Sequence, residues 1–322
     1  MREPMTDLIS RHRRARWSAL SAFIGGIIWI ADLAVAGHSY FGLGTIERLL
    51  LLAPLVIIPL GFLLADTPNG YRRGQSIYRM ACLIQPFAAF LVVVSFWLTP
   101  GVLAASLTLP WLLVSGLAGL SRLHDLLRRG FGRVEDVCFD AGLLYLVVGA
   151  AWLVLSRFGG SQFGFEEPIV LLTAVHFHYT GFAVPLIMGA VGRALNRAFP
   201  RAYTLFRFVA IGVIGGPPLI AVGFVFSPLL KVVAVIWLAV SLVGLSVFSV
   251  VVLPTIRHRV AQGLLAISTI SVLVGMALAA VYAVGEFTGQ LWLSIPHMAR
   301  THGVINALGF TLCGLLAWII ED

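Results

Sequence analysis

Two carboxylates and two imidazoles lie within one short segment, Glu166-Glu167-Pro168 to His176-Phe177-His178-Tyr179-Thr180-Gly181. Carboxyl and imidazole groups placed together can give and take a proton, the basis of general acid–base chemistry. Here they sit on a stretch that otherwise reads as a membrane-spanning helix. A charge at the bilayer centre costs at least ~2.5–3.5 kcal/mol, so ionisable residues at that depth tend to be paired and functional. His176 and His178 are i and i+2, ~200° apart on an ideal helix, and do not share a face. One is therefore expected to face a cavity and the other to bond to a neighbouring helix. An i, i+4 histidine pair of the metalloprotease kind is absent, so no metal ligand set and no cofactor are expected.

Other polar residues border or enter apolar runs. Asp32 lies late in the first run, Glu47 and Arg48 open the second, and Gln85 sits near the middle of the third. His297, Arg300, His302 and Asn306 gather around the start of the last. His302 and Asn306 are i, i+4 and face together. With Arg300 they could hold an anion or polarise a carbonyl or epoxide oxygen, or they could clasp two helices. The candidate catalytic set is Glu47, Glu167, His176, His178, His302 and Asn306. The candidate substrate-binding set is Asp32, Arg48, Gln85, Tyr179, Phe182 and Arg300. An Asp32–Arg48 pair would make both of those structural, and a Glu47–Arg48 pair at the interface would be worth little. Glu167, His176, His178, His302 and Asn306 are expected around one cavity in the outer half of the membrane.

The elements that must position these residues are helices. Of 322 residues, 59% are hydrophobic and 11% charged, against roughly 25% charged in a soluble domain. A span needs ~20 mostly apolar residues. Runs of that kind cover 17–37, 46–64, 76–98, 101–120, 137–156, 169–190, 206–226, 231–253, 262–284 and 303–320, predicting an all-α bundle of about ten transmembrane helices. The count turns on the short turn at Thr99-Pro100 and the Pro217-Pro218 interruption. A basic arm, 1–16, precedes one membrane domain, 17–322. The first helix is expected to be retained rather than cleaved, since no small-residue cleavage site follows it.

The net charge of +8 comes mainly from arginines in short connections. The N-terminal arm, Tyr71-Arg72-Arg73, Arg122 to Arg133, Arg193 to Arg207 and Arg257-His258-Arg259 fall on one side of the predicted spans. The positive-inside rule then puts both termini in the cytoplasm. The arginines read as orientation signals and lipid contacts, and no nucleic acid partner is expected. Tyr71, Trp97 and Trp152 are expected at membrane interfaces. Cys82, Cys138 and Cys313 lack paired spacing and read as buried small side chains. No P-loop, dinucleotide fingerprint, G-x-S-x-G elbow or Cys-x-x-Cys is present. Asp136 and Asp140 have the spacing of one acidic diphosphate-binding motif, but no second copy exists.

Four segments resemble the YndJ-like family of bacterial integral membrane proteins. They are Ile46-Glu47-Arg48 through Ala53-Pro54, Gln85-Pro86-Phe87-Ala88-Ala89, His176-Phe177-His178 through Phe182, and His302-Gly303 through Asn306-Ala307 to Gly309-Phe310. The resemblance covers nearly the whole chain. It implies the multi-pass fold and the same residue set, and it implies no reaction. Some relatives carry a soluble C-terminal region that this chain is expected to lack.

The residue set suits a membrane-embedded enzyme acting on an isoprenoid or lipid by cyclisation, isomerisation or epoxide opening. Its partners would be membrane lipids and an apolar small-molecule substrate. Phe177, Tyr179, Phe182 and Trp29 could stabilise a cationic intermediate. The same buried Glu and His would also serve a proton-coupled transporter. A third alternative is a metal or haem oxidoreductase ligated by His176, His178, His297 and His302, for which the i, i+2 spacing fits poorly.

Overall fold

The computed structural model describes residues 5–35, 43–66, 72–290 and 292–322. Tyr71, expected as an interface anchor, lies outside the described residues. Among those described, ten helices are long and apolar enough to cross a membrane. In chain order they are α1 (Met5–Val35), α2 (Thr45–Ala65), α3 (Arg72–Phe96), α4 (Val102–Arg129), α5 (Val134–Phe158), α6 (Ile169–Ala198), α7 (Pro200–Phe226), α8 (Pro228–Thr255), α9 (Arg259–Thr288) and α10 (Ile295–Glu321). The all-α expectation and the helix count hold. The arm expected at 1–16 is helical from Met5 and continuous with the first span. Thr99-Pro100 is a real turn, and Pro217 and Pro218 lie inside an unbroken α7.

The chain divides into two compact units. Unit 1 comprises Met1–Gly130 and Gly142–Phe182, and unit 2 comprises Phe131–Ala141 and Ala183–Asp322. Both crossings between Phe131 and Ala183 fall inside helices, one in α5 and one in α6.

Unit 1 is organised around α2, the most thoroughly buried of the spans. Pro54 and Pro59 lie five residues apart on it, and neither can donate a backbone hydrogen bond. The helix widens to a π turn over Ala53–Ile57, which moves the carbonyls away from the Pro59 ring. A freed carbonyl in a membrane interior costs several kcal/mol unless it is satisfied within the protein. Neighbouring helices supply the donors. Tyr179 Oη donates to Leu49 O at 2.8 Å and Gln85 Nε2 to Pro54 O at 2.8 Å. Trp29 Nε1 donates to Arg48 O at 2.8 Å and Tyr78 Oη to Phe62 O at 2.6 Å. Arg122 Nη2 donates to Ala65 O at the end of the helix. The Leu55 carbonyl lies against Gly25 of α1, where any Cβ would collide with it. Only glycine permits that approach.

The sequence of α1 follows from its neighbours. Arg14, Ser18, Ser21, Gly25, Trp29 and Asp32 recur at intervals of three or four residues and so form one stripe. The stripe faces α2 and α3: Arg14 pairs with Asp66, Ser21 Oγ donates to Gln85 Oε1 at 2.7 Å, and Arg48 Nε meets Asp32 Oδ2 at 3.0 Å. Leu20, Phe23, Ile24, Ile27, Ile30 and Leu33 are exposed. The helix thus has its polar side inward and its apolar side outward, suited to lipid rather than water.

In unit 2, α7 packs on α8, α8 on α9, and α9 on α10. The start of α5 is held by Tyr203, whose hydroxyl donates to Glu135 Oε2, and by Arg193, which meets Asp136 Oδ1 at 3.3 Å. Ser268 Oγ donates to Phe310 O at 2.8 Å, in a π-helical stretch of α10 over Ile305–Leu312.

Gln85→Leu is expected to strand the Pro54 carbonyl and the Ser21 hydroxyl. It should cost about 1–3 kcal/mol, visible as a lowered Tm in detergent. If the arginine-rich connections lie in the cytoplasm, reporters fused after Arg129 and Arg197 will read cytoplasmic and one after Gly160 external. The reverse pattern would overturn that orientation.

Candidate functional site

The start of α6 carries the acid–base set of unit 1. Glu167 precedes the first turn, where unpaired N–H groups favour a carboxylate. Its Oε2 accepts from Leu171 N at 3.1 Å and its Oε1 from Ser156 Oγ at 2.5 Å. The carboxylate is thereby oriented while the residue stays exposed. Arg157 lies next along α5 and interacts electrostatically with Glu167 and Glu47. Its guanidinium lies over the Phe96 ring at 4.5 Å and donates to Ser95 O at 2.9 Å and Leu98 O at 2.7 Å, closing the end of α3. Glu47 turns back toward Gly44 at the start of α2. Arg48 pairs with Asp32, as the structural reading of those two residues requires, and not with Glu47.

Deeper along α6, the helix widens to a π turn over Phe177–Ala183, two residues before Pro185. This repeats the relation of the α2 π turn to Pro59. π turns of this kind are frequent at functional sites. His178 is fully buried there. Its Nδ1 lies 2.7 Å from Ala174 O and its Nε2 accepts from Trp111 Nε1 at 3.0 Å. A carbonyl can only accept, so the proton is assigned to Nδ1. Both nitrogens are committed. Gly149 of α5 makes the room, since a Cβ there would strike the imidazole.

His176 differs. Its Nδ1 lies 2.7 Å from Leu172 O in its own helix, and the side chain is exposed. Among the described residues nothing engages its Nε2. The division of labour expected for the pair is therefore seen at the level of hydrogen bonding: His178 is tied to a neighbouring helix and His176 is open. At 1.5 Å per residue His176 is ~13 Å along the axis from Glu167, too far for direct proton exchange.

Tyr179 and Phe182, expected to bind substrate, are buried in unit 1. Tyr179 serves the Leu49 carbonyl and Phe182 packs edge-on against Phe62 with ring centroids 6.2 Å apart. Gln85 is likewise buried between Ser21 and Pro54.

His302 and Asn306 belong to unit 2. His302 Nδ1 lies 2.8 Å from Gly275 O, and Asn306 Nδ2 donates to His302 O at 2.8 Å while packing on Gly275. They face together as their spacing requires and form a clasp between α10 and α9. Arg300 is exposed, its Nε donating to Pro296 O at 3.2 Å. Glu286 pairs with Lys231 at 2.8 Å. Among the described residues no three His, Cys, Asp or Glu side chains gather as a group that could hold a metal ion.

Sequence reasoning missed Trp111, Ser156 and Arg157. Trp111 stands in an unbroken apolar run, where nothing marks its indole N–H as a donor. Ser156 and Arg157 stand where the apolar run 137–156 ends, and Arg157, on the side otherwise poor in arginine, has to be held there by something.

A family model described as YndJ-like protein matches residues 48–310. The "Uncharacterized membrane protein YndJ" of Bacillus subtilis (strain 168) is 29% identical over 278 residues, or 86% of this chain and 49% of that protein. The chain spans about half the length of this curated relative. No solved structure matches.

Trp111→Phe keeps an aromatic ring beside His178 but removes its hydrogen bond. Leaving that buried nitrogen unpaired should cost about 1–3 kcal/mol, read as a lower Tm. An unchanged Tm would show that the bond contributes nothing.

Proposed function

The chain belongs to the YndJ-like protein family, and we propose that within it this multi-pass membrane protein is an enzyme working by acid–base chemistry on an apolar, lipid-soluble substrate. The observation that carries the reading is the contrast between the two histidines. His178 has both nitrogens bonded, whereas the exposed His176 holds its Nδ1 proton on Leu172 O and keeps Nε2 uncommitted. A fixed tautomer with a free Nε2 is what a general base requires. Its place well inside a span favours substrates that reach it from the bilayer, an isoprenoid or other lipid.

In this reading His176 takes a proton from substrate at Nε2. Glu167 or Glu47 is the proton-donating group; Glu167, whose oxygens accept from Ser156 and the Leu171 amide, gives a proton only after taking one up. The separation along α6 requires a substrate long enough to meet both, or water between. Isomerisation, cyclisation and epoxide opening all need one proton given and one taken. His302, Asn306 and Arg300 would serve only if the substrate also meets unit 2.

The same separation favours one other reading. Two proton carriers spaced along one transmembrane helix suit a relay, as in a proton-coupled transporter. Purified protein incubated with a lipid extract should change the lipid profile by mass spectrometry, whereas a transporter would instead show proton-linked flux in proteoliposomes. For the enzyme, His176→Ala and Glu167→Gln should each lower turnover by roughly 10²–10⁴-fold. His178→Ala should act chiefly through stability. Full activity in both His176→Ala and Glu167→Gln would sink the acid–base reading.

A further inference from the structure

The acid–base reading makes no use of the charged cluster at the Asp66 end of unit 1. Arg14 of α1 forks onto Asp66, with Nε at 3.0 Å and Nη2 at 3.1 Å from its two carboxylate oxygens. Beside this pair is a cavity of about 10 Å³ lined by Asp66, Gln75, Tyr78, Ser121, Arg122 and Asp125. Its walls come from the end of α2, from α3 and from α4. Gly74 is also at the wall, and the Asp125 carboxylate lies where its Cβ would be.

The walls offer both donors and acceptors. A guanidinium has five N–H groups, and the hydrogen bond that Arg122 makes among the described residues goes to Ala65 O. One face of that guanidinium is covered by the Tyr78 ring, 5.4 Å away. Arg122 is 7% exposed and Asp125 6%, so bulk water does not hydrate them freely. Tyr78 donates to Phe62 O and Ser121 to Ala118 O, which leaves each hydroxyl oxygen able to accept. Asp66 is paired with Arg14, and His124 Nδ1 lies 3.4 Å from Asp125 Oδ1, so both carboxylates already meet a partner. An occupant must both accept from guanidinium and donate to carboxylate or hydroxyl oxygen. About 10 Å³ with several polar partners is the requirement for a single water.

We propose that this cavity binds one resident water, which joins the Arg122 guanidinium to the Asp125 carboxylate and the Tyr78 hydroxyl. With the Arg14–Asp66 fork it completes a polar latch across α1, α2, α3 and α4.

Hydroxyl-radical labelling of the purified full chain tests this, because a bound water split by X-rays oxidises the side chains it touches. Tyr78 and Tyr179 are similarly buried, at 5% and 7% exposure, but only Tyr78 lines this cavity. Tyr78 should be modified several-fold faster than Tyr179. Ser121→Thr keeps the hydroxyl and places a methyl group toward the space. It should abolish the excess labelling and lower the Tm, since filling a hydrated site loses hydrogen bonds, whereas filling a dry void does not. Equal, slow labelling of the two tyrosines in the unaltered protein overturns the proposal, and that comparison stands even if Ser121→Thr fails to fold. Excess labelling that persists in a folded Ser121→Thr protein also overturns it.

Discussion

Two missing amide hydrogens shape unit 1. Pro54 and Pro59 remove donors from the most buried helix of the chain, in a setting where water cannot replace them. The π turn between them moves the carbonyls off the second proline ring, and donors then have to come from elsewhere. Gln85 and Tyr179 supply them from two other helices, while Tyr78 and Arg122 serve carbonyls at the end of α2 and Trp29 serves Arg48 O. Each of these side chains is thereby fixed in place, and so is the helix that carries it. Tyr179 is part of the π turn of α6, so the geometry around His176 and His178 is referred back to α2. Two of the polar contacts inside unit 1 are in this sense replies to a backbone defect.

The two histidines show how little sequence spacing alone determines. An i, i+2 pair on a regular helix points two ways, and that much is seen. The π turn begins between them, at Phe177, so regular-helix spacing does not extend to the residues that follow. What separates the pair chemically is the indole of Trp111, sixty-seven positions away in sequence. The same holds for Asn306, whose partner across the helix contact is a glycine, Gly275, a residue with no side chain to advertise the meeting.

Much of the architecture was legible. Ten apolar runs became ten helices, because hydrocarbon demands about twenty consecutive apolar residues and leaves few alternatives. The Asp32–Arg48 pair was also readable, since an acid and a base near the same end of adjacent spans have few other partners. The candidate site was legible only in part. Composition marks Glu167, His176 and His302 as unusual, but it cannot say which hydrogen bonds are already filled. Gln85 and Tyr179 drew attention as polar residues in apolar runs and proved to serve carbonyls freed by prolines on another helix. Arg157 escaped notice because arginines were read as topology signals, whereas this one closes the end of α3. The Ala53-Pro54 and Pro59 spacing was the sequence clue to the π turn.

The inward polar stripe of α1 also bears on how the chain is made. This helix leaves the ribosome before every partner of its stripe. Asp32 waits sixteen residues for Arg48, Arg14 waits fifty-two for Asp66, and Ser21 waits sixty-four for Gln85. A lone aspartate at the centre of a membrane helix carries a penalty of about 2.5–3.5 kcal/mol on insertion scales, and Asp32, near the end of its span, carries less. Until α2 and α3 have been synthesised, the polar stripe of α1 lacks its partners. The order of the helices thus leaves the polar face of α1 unpaired until its neighbours arrive. Assembly of this end of the protein is a joint event of three helices rather than a sequence of independent insertions.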